Sequence, residues 1–167
     1  MATKGPSVGI VMGSKSDLEV MKTASTVLAQ FGISSEMRVI SAHRTPDIAA
    51  EYARSAAGRG MKAIIAGAGA AAHLAGAMAA NTTLPVIGVP LAGGALNGVD
   101  ALYATVQMPT GVPVATVAIN GSANAAILAA QIMAVSDRKL AARLAEYKEG
   151  IRAKAIEADE EVAKADK

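Results

Sequence analysis

Short apolar runs alternate with segments of helical periodicity along the first 135 residues. Each run ends at Gly, Pro, Asn or Ser, which is typical of buried strands in a parallel sheet. We predict strands at 7–12, 36–40, 63–66, 86–89 and 112–119. Helices are predicted after them, over 18–32, 46–58, 71–80, 99–107 and 122–133. Five repeats of strand and helix predict an α/β fold with a doubly wound parallel sheet of about five strands.

Capping residues indicate where several of these helices begin. Ser16, with Glu19 three residues later, has the spacing of a capping box for the first helix. Thr45 stands before a proline and predicts an N-cap for the second helix. The pair Ser136-Asp137 is expected to cap a last helix, which is amphipathic. The apolar face of that helix contains Leu140, Leu144, Tyr147 and Ile151.

Charged residues are distributed unevenly, and this bears on assembly. Residues 1–135 contain 8 Lys or Arg and 6 Asp or Glu, whereas residues 136–167 contain 8 of each kind. Because a typical soluble domain is about 25% charged, much of the surface of the first segment is expected to contact other protein. We predict a homo-oligomer in which residues 1–135 form an α/β domain and the 136–167 helix packs on the same or a neighbouring subunit. Membrane association and a simplified, designed sequence are alternative explanations of the low charge.

Composition also excludes several function classes. The chain has no Cys, so it has no disulfide framework, thiolate zinc site or cysteine nucleophile. A net charge of +2, with one Phe, three Tyr and no Trp, argues against nucleic-acid binding. The N-terminal residues lack a signal-peptide apolar core, and no stretch of about 18 lipid-type residues occurs. We therefore expect a cytoplasmic protein without a membrane partner.

Loops that follow the strands contain the candidate functional residues, because ligands of such sheets bind beyond the carboxyl ends of the strands. Those loops are 13–17, 41–46, 67–73, 90–98 and 120–124. In the first loop, Ser14 and Ser16 offer hydroxyls beside the free N–H groups of a helix start, which suits a phosphate or a ribose. Asp17 would repel a phosphate and fits better as an acceptor for sugar hydroxyls. The alternative is a Ser-rich helix cap that binds no ligand.

The second loop, Ser41 to Pro46, places His43 and Arg44 directly after a strand. Arg binds phosphate through a fork of two N–H donors, and His transfers protons near neutral pH. Cations are scarce in this part of the chain, which favours a functional role for Arg44. The alternative is a structural His43 that caps the following helix.

The third loop, 67–73, consists almost entirely of Gly and Ala. Such small side chains let a ligand lie against the backbone, whose N–H groups can bind a carboxylate or carbon dioxide. His73 is the only other histidine, and its alternative role is a structural one among Ala and Leu. Two histidines without Cys, and few acids in the loops, predict no metal site.

Taken together, these loops closely resemble those of the N5-carboxyaminoimidazole ribonucleotide mutase (PurE) family, in its mutase class. The resemblance covers roughly residues 7–135 at the same spacing. It rests on the motifs at 13–17, 41–46, 66–74, 85–90, 106–109 and 124–130. The Arg44-Thr45-Pro46 sequence is similar to the mutase class, whereas the class that carboxylates aminoimidazole ribonucleotide directly usually has Lys-Thr there.

The resemblance implies a flavodoxin-like three-layer α/β/α fold and an octamer whose active sites combine several subunits. It implies an isomerase of purine biosynthesis that needs no cofactor, releases carbon dioxide from N5, retains it and adds it to C4. His43 matches the family's proton carrier, and the backbone around Ala68, Gly69 and Ala70 would line the carbon dioxide pocket. The remaining implied substrate-binding residues are Ser14, Ser16, Asp17, Ser41, Arg44, His73 and Leu74.

Several positions depart from the family pattern. Ala70 stands where Gly is usual, Ala75 where Pro is usual, and Leu18 where an aromatic residue commonly follows the Asp. If position 70 needs a positive φ, Ala there costs on the order of 1 kcal/mol. Two alternatives to a working mutase therefore remain: an octameric scaffold with little catalysis, and a carboxylase with an altered phosphoribosyl substrate.

Overall fold

The computed structural model describes residues 5–165, and it shows a five-stranded, all-parallel sheet in the order β2-β1-β3-β4-β5. Residues 1–4 and 166–167, which the two predicted segments include, lie outside the described residues. The strands are β1 Val8–Met12, β2 Ser35–Val39, β3 Ala63–Gly69, β4 Val86–Leu91 and β5 Ala115–Thr116. The helices are α1 Leu18–Gln30, α2 Pro46–Ala56, α3 Leu74–Ala79, α4 Val99–Val106, α5 Ser122–Ala134 and α6 Arg138–Ala165. This strand order is that of flavodoxin-like sheets, so the predicted fold class is confirmed.

Both faces of the central strands are buried, which explains their continuous apolar sequence. Ile64 and Ala66 face α2 and α3, in a core cluster that also contains Ala53 and Leu74. Since side chains alternate along a strand, Gly67 faces the opposite side of the sheet, where it meets Met21 of α1. Helices therefore cover both faces, as a doubly wound sheet requires.

Two strands are longer than predicted, and one is shorter. The predicted loop after residue 66 was wrong, because Ala68 pairs with Pro90 and Gly69 with Leu91, extending β3 and β4 toward the ligand edge. The predicted fifth strand was also wrong in extent, since only Ala115–Thr116 forms a regular strand. Pro113, the one proline of the 112–119 segment, lacks the N–H that a continuous ladder needs near the start of the predicted strand.

Tyr52 of α2 ties that helix to the edge strand β2. The Tyr52 ring is buried (6% exposed), and the Arg59 guanidinium lies 4.6 Å from its centroid. Arg59 also contacts Glu36 of β2 at 2.6 Å. Burial raises the pKa of the Tyr52 phenol, so the hydroxyl remains protonated and donates to the Met61 sulfur at 3.8 Å.

The predicted cap of the last helix is confirmed, because the Asp137 carboxylate accepts hydrogen bonds from the backbone N–H groups of Lys139 and Leu140. Leu140 and Leu144 are buried, whereas Ile151 is exposed. The chain divides into two units between Ala129 and Ala130. Within residues 5–165, no helix is both long and apolar enough to cross a membrane.

Gly88 in β4 allows α4 to approach the sheet closely. A Cβ on Gly88 would overlap the Thr105 methyl of α4 and lie 2.9 Å from the Val114 side chain. We expect Gly88→Ala to lower the free energy of unfolding by about 1–3 kcal/mol through overpacking, measured by denaturant unfolding at fixed protein concentration. The control is Gly150→Ala on α6, where a Cβ meets open space and helix propensity predicts a gain of about 1 kcal/mol. Equal effects of the two substitutions would contradict this account of Gly88.

Candidate active site

A cavity of about 710 Å³ opens at the carboxyl edge of the sheet, where the loops after β1, β2, β3 and β4 meet. Four of the five predicted loops line it. The fifth, 120–124, supports it indirectly, because the Asn120 side chain accepts a hydrogen bond from the Ala92 backbone at 2.9 Å. The structure therefore forms its cavity at the carboxyl ends of the strands, where the sequence analysis places the ligand loops.

Most of the predicted site residues line this cavity. They are Ser14, Ser16, Asp17, Ser41, His43, Arg44, Ala68, Gly69, Ala70 and Leu74. His73 lies next to the cavity, in a neighbouring pocket with Tyr103 and Met108. Sequence reasoning did not assign a further set of lining residues, which are Gly13, Ala42, Ala71, Leu91, Ala92, Gly93 and Gly94. Their small or apolar side chains suggest no chemistry, and only their place after a strand could have pointed to them.

The first loop is held by a capping box, although not by the predicted pair. Ser14 caps a 3₁₀ turn over Lys15–Asp17, and the Asp17 carboxylate accepts from the Ser14 N–H at 3.0 Å. The prediction of a Ser16–Glu19 box was wrong, because this extra turn precedes α1 and moves the cap two residues earlier. The Ser16 hydroxyl instead donates to the Ser14 hydroxyl at 2.9 Å. Two hydroxyls and a carboxylate are thereby held together at the cavity wall.

Arg44 connects the second loop to the first. Its guanidinium donates to the Gly13 carbonyl at 3.0 Å through Nη2 and to the Ser41 hydroxyl at 3.2 Å through Nε. Since guanidinium carries five N–H donors, three remain beyond these two bonds for a ligand. The arrangement places a fixed cation beside Ser14 and Ser16, which suits an anionic group such as a phosphate.

His43 and His73 form a hydrogen-bonded pair. His43 Nε2 lies 2.9 Å from His73 Nδ1, and the rings meet edge to face with centroids 5.0 Å apart. Both residues are exposed, so His73 is not buried among Ala and Leu, and its role in the site stays a prediction. The alternative of His43 as a helix cap stays a prediction, because this contact does not involve α2. The bond fixes the direction of the His43 ring, and whichever nitrogen donates, a proton is shared between the two imidazoles.

The third loop turns sharply at Ala70, which has a left-handed backbone with φ 49°. This is the conformation anticipated for a position where glycine is usual. The Ala70 carbonyl accepts from the Ala72 N–H at 2.8 Å, and the Ala71 carbonyl accepts from the His73 N–H at 2.8 Å. Two tight turns in succession carry the backbone across the cavity floor and lead to His73. They also delay the start of α3 to Leu74, later than the predicted 71.

Charge at the cavity comes from Arg44 and Asp17, which line it on the side of the first two loops. The floor from Ala68 to Ala71 contributes only backbone and methyl groups. Among residues 5–165, no three His, Cys, Asp or Glu side chains are grouped so as to hold a metal ion. One end of the cavity is thus suited to a charged, hydroxylated group, and the other to a small neutral one.

Comparisons with known proteins identify relatives over most of the chain. The family model described as AIR carboxylase matches residues 7–154. N5-carboxyaminoimidazole ribonucleotide mutase from Thermotoga maritima is 55% identical over 152 residues, covering 91% of this chain and 89% of that protein. The Bacillus subtilis protein of the same name is 53% identical over 159 residues, covering 94% and 98%.

Two further comparisons show similarity to part of a longer protein and to a solved structure. Phosphoribosylaminoimidazole carboxylase from Schizosaccharomyces pombe is 54% identical over 149 residues, which make up 89% of this chain but 27% of that protein. The crystal structure of Treponema denticola PurE matches with a TM-score of 0.84 at 31% identity, covering 93% of this chain and 98% of that one. The fold described above is therefore shared with a solved structure over nearly the whole chain.

Ala70 provides a test of the strain at the cavity floor. We expect Ala70→Gly to raise the free energy of unfolding by up to about 1 kcal/mol, because glycine adopts positive φ without a Cβ clash. The matched control is the neighbouring Ala71→Gly, which has no positive φ to relieve and should destabilise the protein. Thermal unfolding of both variants measures the difference. A lower melting temperature for Ala70→Gly would contradict the inferred strain.

Proposed function

The chain belongs to the AIR carboxylase family, and from this membership and the site we infer that it is an N5-carboxyaminoimidazole ribonucleotide mutase of purine biosynthesis. It converts N5-carboxyaminoimidazole ribonucleotide to 4-carboxyaminoimidazole ribonucleotide. The observation that carries the inference is the 55% identity to a protein of that name over 91% of this chain. The cavity supports it, because it combines an anion-binding cluster, a histidine and a small neutral pocket.

We propose that the phosphate binds at the first two loops. Arg44 offers the remaining guanidinium donors, and the hydroxyls of Ser14, Ser16 and Ser41 lie beside it. Asp17 accepts from ribose hydroxyls through the carboxylate oxygen lone pairs left over from its bonds to Ser14 and Ser16. This orientation directs the aminoimidazole toward His43 and the floor formed by the third loop.

The proposed reaction proceeds in two balanced steps. Protonated His43 gives its proton to N5, the N5–carboxyl bond breaks, and carbon dioxide leaves with aminoimidazole ribonucleotide still bound. C4 of the ring then attacks carbon dioxide, forming the new C–C bond, and neutral His43 removes the C4 proton. His43 ends in the protonation state in which it began, so one histidine serves both transfers. His73 holds the His43 ring in place through their 2.9 Å contact.

Retention of carbon dioxide between the steps depends on the floor of the cavity. We propose that it lies against the backbone of Ala68, Gly69 and Ala70, with the side chain of Leu74 nearby. Small side chains let the gas approach the N–H groups, and confinement next to C4 raises its effective concentration. Ala70, which departs from the family pattern, adopts the left-handed turn that glycine usually supplies, and this supports the proposed floor.

His43→Asn tests the proposed chemistry. Asn keeps a polar side chain but cannot exchange a proton near neutral pH, so we expect turnover to fall at least 100-fold, in line with general acid–base contributions. The measurement is conversion of N5-carboxyaminoimidazole ribonucleotide to its C4 isomer by purified wild type and variant. A folded wild type without turnover would refute the mutase function. An active His43→Asn variant would refute the role of His43 alone.

We further propose that the protein works as an octamer in the cytoplasm, with active sites completed by neighbouring subunits. An exposed apolar face on α4 supports this assembly: Val99, Tyr103 and Val106 are spaced to lie on one side of the helix, and Tyr103 is 62% exposed. Tyr103 and His73 line the same pocket, so a subunit that covers α4 would lie near the reaction centre. In this proposal residues 1–135 form the catalytic domain, and the 136–167 helix packs on the same or a neighbouring subunit.

Tyr103→Asp tests the assembly. A buried, unpaired carboxylate is costly, so we expect native mass spectrometry to show loss of the particle of eight 16.7 kDa chains and a parallel loss of turnover. The control is Thr23→Asp, a charge placed at an exposed polar position of α1, which should leave the mass unchanged. A wild-type particle of another size, or an octamer that tolerates Tyr103→Asp, would count against the proposed interface.

A further inference from the structure

The Thr45 side chain closes the loop that carries His43 and Arg44. Its hydroxyl donates to the Ser41 carbonyl at 2.9 Å and accepts from the Ser41 N–H at 3.2 Å. The Thr45 backbone N–H donates to the same carbonyl at 2.9 Å. Thr45 therefore makes three hydrogen bonds to Ser41, four positions earlier. These bonds close the loop, and the side chains of residues 42–44 project from it.

This use of the hydroxyl means that Thr45 does not cap α2. The predicted N-cap position is correct, since α2 begins at Pro46, but no side-chain hydrogen bond caps the helix. A Thr cap stabilises a helix by about 1 kcal/mol. The helix starts instead with Pro46, whose fixed φ suits the first turn, and the hydroxyl turns back toward Ser41. The prediction of a capping Thr45 side chain was wrong because the same oxygen has a second set of partners within reach.

Ser41, the residue held by Thr45, in turn holds Arg44. The Ser41 hydroxyl accepts from the Arg44 backbone N–H and from Arg44 Nε, both at 3.2 Å. The Ser41 backbone is anchored to the sheet, because the preceding Ile40 donates to the Met12 carbonyl at 2.8 Å. A continuous set of hydrogen bonds thus connects the sheet, through Ser41, to both Arg44 and Thr45.

We propose that Thr45 is a positioning residue for the reaction, which fixes His43 against His73 and Arg44 against Gly13 without touching the substrate. This inference rests on the proposed function for its consequence in turnover. Without the Thr45 hydroxyl, the Ser41 N–H loses its acceptor and the loop loses two of its three closing bonds. The His43 ring and the Arg44 guanidinium then shift together, although neither residue has changed.

Thr45→Val and Thr45→Ser separate this role from simple packing. Val has nearly the same shape as Thr but lacks the hydroxyl, whereas Ser retains it. We expect Thr45→Val to lower kcat by about 10–100-fold, because a displacement of about 1 Å at a reacting group has effects of that size. KM should rise as Arg44 shifts. Thr45→Ser should stay within about threefold of wild type in both constants.

The control is Thr82→Val. It removes another partly buried loop hydroxyl, which accepts a hydrogen bond from the Leu84 backbone N–H at 3.2 Å. It should leave kcat and KM unchanged. All assays are made well below the melting temperature of each variant, so that a lower stability alone cannot reduce kcat. Unchanged kinetics for Thr45→Val, or equal losses for Thr45→Ser and Thr45→Val, would overturn the proposal.

A second readout does not require turnover. The protein has two histidines, so histidine labelled with carbon-13 at the imidazole gives two ring signals by NMR. Thr45→Val should shift both signals, whereas Thr45→Ser and Thr82→Val should not. Ribose 5-phosphate affinity, measured by calorimetry, should fall for Thr45→Val because Arg44 moves. If wild type showed no turnover, the mutase function would fail while these measurements still decided the role of Thr45, and unshifted histidine signals in Thr45→Val would refute it.

Discussion

The site depends on two backbone hydrogen bonds made just beyond the end of β1. The Gly13 N–H donates to the Gly67 carbonyl at 3.1 Å, and the Met12 carbonyl accepts from the Ile40 N–H at 2.8 Å. These bonds continue the parallel register on both sides of the central strand. Because the register is fixed there, the loops that start at Gly13 and Ser41 leave the sheet side by side, next to the last residues of β3. A shift of the pairing by one residue would turn every side chain of that strand to the opposite face of the sheet. It would also separate His43 from the cavity floor.

Small residues let this register support a closed cavity. Gly67 accommodates Met21 of α1 on one face of the sheet, and Gly88 accommodates Thr105 of α4. The same composition supplies a floor of Gly and Ala against which a small neutral molecule can lie. Charge is scarce in the first 135 residues, and among the described residues Arg44 and Asp17 are the Lys, Arg, Asp or Glu side chains that line the cavity.

The sequence was a good guide wherever local pattern decides the structure. Apolar runs located β1 and β2 to within a residue. The parallel direction of the strands followed from the alternation of strands and helices. The rule that ligands bind at carboxyl ends then placed Ser14, Ser41, His43 and Arg44 at one cavity. Local pattern could not give the extension of β3 and β4, because the pairing of Ala68 with Pro90 depends on residues far apart in sequence. For the same reason, the contact between His43 and His73 was not predicted, since it joins two loops thirty residues apart.

Two further errors concern residues with two possible partners, and they share a cause. Thr45 could cap α2 or close its own loop, and Ser16 could begin a capping box or lie inside one that begins at Ser14. In both cases the hydrogen bond that forms closes a loop at the cavity, and the predicted cap at the start of the α-helix does not form. Ala70 follows the same tendency, because it takes a strained left-handed backbone where the chain must turn across the floor. Local preferences are thus overridden in three loops that border one cavity, as expected where the geometry of a site, more than the stability of its elements, determines the sequence.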